Sequence, residues 1–327
     1  MWRLAGLIAI AASALLVVAG LLTLYGLDRL ERAGPLTADT VVYIPQGSGL
    51  DAIAGRLERA GVIEDALIFR LGVHALGAAR DLRAGEYLFP AALSMQGAVE
   101  LLTSERTMVR RLTLAEGLTS FEIVALIAKT EALEGAAGAA PAEGSLLPET
   151  YHYARGDTRA GLVKRMGRAL DETLTELWQA RAPGLPIATP EEAVVLASIV
   201  EKETGVAGER PLVASVFVNR LKKGMRLQSD PTVVYGLTGG RGPLGRALIR
   251  KDLQTPSPYN TYLIDGLPPG PIANPGRAAL EAVLNPAKTA YLYFVADGSG
   301  GHAFAKTLAE HNRNVAKWRK IQRQNSN

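Results

Sequence analysis

The sequence predicts an α+β chain in three parts: an N-terminal membrane-spanning helix, a small β-α-α-β subdomain and a larger mixed domain. Three patterns predict it. No charge occurs between Arg3 and Asp28, in a run dominated by Leu, Ala, Ile, Val and Gly. At Thr40 that run has given way to a β-branched segment followed by apolar residues at helical spacing. Beyond Arg159 a helical stripe leads to a nearly all-apolar segment that ends in two glutamates. The implied boundaries are 1–28 for the start and membrane helix, 29–39 for a linker, 40–107 for the small subdomain, 108–320 for the larger domain and 321–327 for a tail.

As a helix, Leu4 to Leu27 reaches about 36 Å, enough to cross a hydrocarbon core of about 30 Å. A cleaved signal peptide is the rival reading. Its apolar core usually runs to only about 7 to 15 residues, and no small-x-small site precedes Asp28-Arg29-Leu30-Glu31-Arg32. An uncleaved anchor is therefore expected. Charge leaves its orientation open, because Arg29 and Arg32 are offset by Asp28 and Glu31 while Arg3 lies at the other end.

Val41-Val42-Tyr43-Ile44-Pro45 reads as a strand closed by a Gly47-Ser48-Gly49 turn. Leu50, Ile53, Ala54 and Leu57 then mark one helix, and Ala66, Phe69, Arg70 and Val73 a second after Gly61. A strand near Arg83 to Phe89 completes the unit, whose order resembles the LysM-type fold. That resemblance implies a binder of N-acetylglucosamine polymers; a spacer or scaffold fits the same pattern. Further on, helices are expected over Ser94 to Ser104 and Ser120 to Lys129, a strand over Val109 to Leu114, and a loop over Glu134 to Glu143. Leu162, Met166, Leu170, Leu174 and Leu177 stripe a helix from Arg159 to Arg181 that Pro183 and Pro186 end.

Composition narrows the function. With 48% apolar and 21% charged residues the chain folds rather than staying disordered. A net charge of +4, with no long basic block, argues against nucleic acid as a partner. Cysteine is absent, which removes disulfides, thiolate nucleophiles and Cys-based zinc sites together. His74, His152, His302 and His311 show no zinc-ligand spacing, and neither a Gly-x-Ser-x-Gly elbow nor a phosphate-binding loop occurs, so no metal or cofactor is expected. The basic end, with Lys317, Arg319, Lys320 and Arg323, reads as a solvated helix face and tail.

Chemistry concentrates where Thr189-Pro190-Glu191-Glu192 starts a helix with a capping hydroxyl, an early proline and two acids. Ala193 to Val200 carries only Ser198 as a polar member, and Glu201-Lys202-Glu203-Thr204-Gly205 follows. Leu196, Ile199, Val200 and Glu203 share one stripe, whereas Glu201 lies over Val194, Ala197 and Ser198. A carboxyl pressed against apolar surface loses solvation of its anion, holds its proton near neutral pH and can act as a general acid. Glycosidic cleavage needs that proton at the leaving oxygen. The bland alternative is a pair of glutamates that merely solvate a helix end.

Leu196-Ala-Ser-Ile-Val-Glu-Lys-Glu-Thr204, Val216-Phe-Val-Asn-Arg-Leu221, Met225-Arg-Leu-Gln-Ser-Asp-Pro-Thr232 and Tyr259-Asn-Thr-Tyr262 together resemble the MltG, or YceG-like, endolytic murein transglycosylases. The likeness continues through Gly266-Leu-Pro-Pro-Gly-Pro-Ile272, Asn274-Pro-Gly276, Tyr291-Leu-Tyr-Phe-Val-Ala-Asp297 and Gly301-His302, and includes Pro148-Glu-Thr-Tyr151. It implies a single-pass inner-membrane anchor with the bulk of the chain periplasmic, a LysM-like subdomain, and a catalytic domain with a lysozyme-like helical element around one essential glutamate. The implied reaction cuts the MurNAc-GlcNAc bond of nascent glycan strands and leaves 1,6-anhydroMurNAc ends, beside the peptidoglycan synthases. A non-catalytic, membrane-anchored peptidoglycan-binding scaffold is the alternative.

Both glutamates belong to the matching motif. Glu203 is favoured as the acid, by its stripe and because Glu203-Thr204 resembles the Glu-Ser pair of soluble lytic transglycosylases; Glu201 then orients neighbours or lines the cleft. Asn219, Gln228, Ser229, Asp230 and Thr232 are expected to meet the sugar, the last four from a polar loop around Pro231, although Ser-Asp-Pro is also ordinary turn chemistry. A catalytic Asp230 would instead point to hydrolysis. Tyr259, Asn260 and Tyr262 sit in a proline-stiffened loop where rings can stack on pyranose faces.

Overall fold

The computed structural model describes residues 2–325. In chain order its elements are α1 (Trp2–Glu31), β1 (Thr40–Ile44), α2 (Leu50–Arg59), α3 (Ala66–Ala75), β2 (Gly85–Phe89), α4 (Met95–Thr103), β3 (Arg110–Thr113), α5 (Ser120–Lys129), β4 (Thr150–Tyr153) and α6 (Arg159–Gln179). They continue with α7 (Pro190–Glu203), α8 (Arg210–Lys222), α9 (Asp230–Thr238), α10 (Arg277–Leu284), β5 (Tyr293–Ala296), β6 (His302–Ala305) and α11 (Leu308–Asn325). Each sheet among these elements has two strands: β1 with β2, β3 with β4, and β5 with β6. The chain divides into two compact units. One is Met1–Arg110 with Ala132–Glu134 and His152–Asp157; the other is Arg111–Glu131, Gly135–Tyr151 and Thr158–Asn327.

In the first unit, α1 is one continuous helix. Its stretch Ala12–Glu31 has a mean hydropathy of 1.5 and is only 6% buried, with Leu15, Leu16, Leu21 and Leu22 exposed. Among the described residues it is the one helix long and apolar enough to cross a membrane. β1 and β2 pair antiparallel with Val42 opposite Tyr87 and Ile44 opposite Gly85, which turns Val42, Ile44, Tyr87 and Phe89 inward and leaves Val41 outside. The period-2 alternation thus selects the buried face. α2 contributes Ile53 and Leu57, and α3 contributes Phe69 and Val73, so the expected β-α-α-β order closes around one core. Asp65 caps α3 by accepting from the N–H groups of Leu67 and Ile68 at 2.7 and 3.1 Å. Leu30, from the last turn of α1, is buried in the same core against Gly72, where an added Cβ would lie 2.4 Å from Leu30 Cδ2.

The core of the second unit gathers around α7, which packs on α6, α8, α9 and α10. Every residue from Ala193 to Val200 is buried, as its composition predicts. Ser198 is the polar exception and is fully satisfied: its hydroxyl donates to Val195 O at 2.7 Å and accepts from Ile272 N at 3.0 Å. Thr189 caps the helix through Glu192 N at 3.2 Å, with Pro190 in the first turn. β5 and β6 form an antiparallel hairpin with Phe294 opposite Phe304, and α11 packs against it.

Candidate active site

The second unit holds a cavity of about 400 Å³ with Glu203, Arg220, Gln228, Asp230, Tyr262, Tyr293 and His311 in its wall. Glu203 is the last residue of α7, and Ser229 Oγ donates to its Oε1 at 2.5 Å. Ser229 is itself buried and aimed by its neighbours. Its N–H donates to Thr261 Oγ1 at 2.9 Å, its carbonyl accepts from Thr232 Oγ1 at 2.6 Å, and the two threonine hydroxyls lie 2.8 Å apart. Burial pushes the Glu203 carboxyl up to about 7; the Ser229 hydroxyl opposes this, the charge of Asp230 adds to it, and His302 and Arg220 oppose it weakly. Near neutral pH the group is therefore shared between its acid and its anion.

Glu201, two residues away, is in the opposite condition. Its side chain is 4% exposed, with Oε1 3.2 Å from the Arg210 guanidinium and Oε2 accepting from Gly276 N at 3.0 Å. Arg210 also holds Glu116 at 2.9 Å. Two carboxyls two residues apart thus meet different chemistry because the helix turns one toward a cation and a backbone N–H, and the other toward the cavity and a hydroxyl.

Arg220 organises the facing wall. It is 8% exposed, and its guanidinium donates to the carbonyls of Leu292 (2.7 Å), Arg226 (3.0 Å) and Leu227 (2.9 Å) and to Gln228 Oε1 (3.2 Å). Tyr293 lies across it, 5.2 Å from ring centroid to guanidinium carbon. Gln228 adopts φ 51°, a left-handed conformation uncommon for a side chain of its size, and its N–H donates to Thr261 O at 3.1 Å. The polar run from Gln228 to Thr232 is loop only as far as Ser229. Asp230 begins α9, because Pro231 in the first turn and an acid at the positive helix end both favour a start there. Asp230 is exposed and accepts from the Tyr262 hydroxyl at 2.7 Å. Asp230 and Pro231 also border a neighbouring cavity of about 340 Å³ that includes Lys202, Glu122 and Tyr235.

The structure brings Glu203, Gln228, Asp230 and Tyr262 to one cavity, with Ser229 reaching Glu203 from behind its wall. It places the other expected residues in the frame. The Asn219 amide donates to Thr289 O and Tyr291 O, both at 3.0 Å. Asn260 is fully buried, donates to Leu253 O and Thr255 O, and accepts from Tyr262 N at 3.0 Å. Thr232 is fully buried, and Tyr259 packs on Tyr235 with ring centroids 4.8 Å apart. Sequence reasoning did not single out Arg220, Tyr293 or the cavity position of His311. The ring of His311 stacks on Tyr293 at 5.2 Å, and burial and Arg220 lower its basicity. His302 instead pairs with Glu209, Nδ1 to Oε2 at 2.7 Å. The described residues contain no cluster of three or more His, Cys, Asp or Glu side chains placed to hold a metal.

Comparison with known proteins places these features in a family. A curated endolytic murein transglycosylase of Bacillus subtilis is 34% identical over 90% of this chain and 89% of its own length. One from Streptococcus pneumoniae is 30% identical over 86% of this chain; the chain covers 59% of that longer protein. The crystal structure of a yceG-like protein from Listeria monocytogenes superposes with a TM-score of 0.51 at 33% identity, covering 84% of this chain and 98% of that one. The model of the YceG-like family matches residues 42–317, a span that takes in every residue of the cavity wall, and the chain belongs to that family.

Proposed function

We propose that this chain is a peptidoglycan lytic transglycosylase in which Glu203 is the acid and then the base. The observation that carries the reading is a protonatable carboxyl, held near neutrality by burial, in the wall of a cavity large enough for sugar rings. The curated relatives named as endolytic murein transglycosylases supply the substrate class. In the first movement, the Glu203 proton passes to the glycosidic oxygen as the bond from the muramoyl anomeric carbon breaks and that oxygen leaves as a hydroxyl. In the second, the sugar's own C6 hydroxyl closes on the anomeric carbon and gives its proton to the Glu203 carboxylate, which restores the acid. The product carries a 1,6-anhydro ring, and neither water nor a second catalytic carboxylate is consumed. Gln228, Asp230 and Tyr262 contact the sugar, and the two cavities bordered by Asp230 accommodate a strand on either side of the scissile bond. Glu201, Asn219, Thr232 and Asn260 hold the walls in place. α1 anchors the chain in the inner membrane with the bulk of the chain on the periplasmic side, near the peptidoglycan synthases.

Purified protein incubated with sacculi is expected to release muropeptides lighter by one water at the muramoyl end. Glu203→Gln is expected to remove that product with an unchanged circular dichroism spectrum. Products carrying added water would turn the reading to hydrolysis. An active Glu203→Gln beside a folded but dead Glu201→Gln would reverse the two glutamates.

A further inference from the structure

The outer face of α3 presents an apolar stripe that its own core does not use. Phe69, Gly72 and Val73 face inward, while Leu67 is 55% exposed and Leu71, one turn on, is 61% exposed. Leu76, just after the helix, is 53% exposed. The stripe runs directly into α1. A cavity of about 420 Å³ between the two helices is lined by Leu22, Tyr25 and Leu27 on one side and Ile68, Leu71 and Ala75 on the other.

The level of this groove along α1 identifies what fills it. A hydrocarbon core of about 30 Å takes up roughly 20 helical residues, so a span entering near Leu4 leaves near Leu24. At that level Tyr25 is exposed, and its hydroxyl accepts from Arg29 Nε at 3.2 Å. An amphipathic ring backed by a cation is the pairing that favours the headgroup layer. Arg29 also bonds Glu64, at 2.5 Å, just ahead of α3. A helix packed against Leu22 to Leu27 therefore lies where α1 passes from the acyl chains into the headgroup layer.

We infer that α3 lies in the membrane interface, with Leu67 and Leu71 seated at the boundary between acyl chains and headgroups beside Tyr25, so that the small subdomain is a membrane-surface module as well as a domain on an anchor. This rests on the reading of α1 as a membrane span, and holds whichever side the chain faces. The occupant of the groove is lipid and not a second protein, because one of its walls is the segment that lipid must already coat.

The absence of cysteine makes the test direct, since each introduced thiol is the only one in the chain. Full-length protein bearing Leu16→Cys, Leu67→Cys, Leu71→Cys or Val41→Cys is spin-labelled and reconstituted into vesicles of phosphatidylcholine and phosphatidylglycerol. Collision with oxygen, which favours lipid, is compared with collision with a water-soluble nickel chelate. The expected result is oxygen dominance of several-fold at positions 16, 67 and 71, and chelate dominance at Val41, an exposed residue that does not border the groove. Chelate dominance at 67 and 71 with oxygen dominance at 16 overturns the inference and leaves the anchor standing. Chelate dominance at 16 as well overturns the anchor itself. Dipolar broadening at 67 or 71 that disappears on dilution with unlabelled chain identifies a second copy as the occupant, and also overturns it.

Discussion

At the scale of single residues, the contrast between Glu201 and Glu203 shows that chemical type is less informative than what has already been bound. Glu203 has an ordinary value of 4.5 that burial raises to about 7, so kcat/KM is expected to fall as pH rises through about 7, where the acid is lost; a pH profile on sacculi checks this. The same shift bears on stability. A carboxyl with a raised native value binds its proton more tightly when folded, so its contribution is intact below about 4.5 and is lost as pH climbs through 7. Glu203→Gln is accordingly expected to stabilise the fold by about 1–3 kcal/mol more at pH 8 than at pH 4, measurable by urea unfolding. Ser229→Ala removes the hydroxyl that favours the anion, so the alkaline limb of the rate profile is expected to move to higher pH while the rate at its plateau drops, because the carboxyl loses the bond that aims it. Glu201→Gln is expected to cost about 1–3 kcal/mol of stability by weakening the bond to Arg210, with turnover per folded molecule retained.

At the scale of elements, α7 acts as a rigid strut whose buried length fixes where its last carboxyl stands. Ser198→Ala would leave the Ile272 N–H without its acceptor and is expected to cost about 1–3 kcal/mol, read as a lower denaturation midpoint. This strut was legible in the sequence, since a capping threonine, an early proline and eight residues with one polar member admit few alternatives. So were β1, by its β-branched run closed at Pro45, and α2 and α3, by the helical spacing of their apolar residues. The facing wall was not. Arg220 in a helix reads as a solvated cation, and only the fold supplies the carbonyl of Leu292, distant in sequence, that buries it. Asn219, Thr232 and Asn260 read as sugar ligands for the same reason in reverse: their polarity is visible in the sequence, while the backbone groups that consume it become adjacent only on folding. Asp230 lay in an expected loop because Ser-Asp-Pro starts turns and helices alike, and the residues beyond Thr232 decide between them.

At the scale of the whole molecule, a continuous apolar helix leads into a module that keeps the helix's own last turn in its core. Removal of residues 1–28 is expected to move the protein from the detergent-rich to the aqueous phase in a cloud-point partition while preserving the fold. Removal through Leu30 takes away a buried leucine as well, and is expected to cost a further 2–3 kcal/mol, roughly. The seat of Leu30 on Gly72 has a mechanical consequence. A flexible leash would let the module wander, whereas a socket makes helix and module turn together like a mast and its fitting. A span longer than the bilayer is thick accommodates part of the excess by leaning. With α1 as the proposed anchor, any change of lean that thicker or thinner lipid imposes on it swings the module by the same angle.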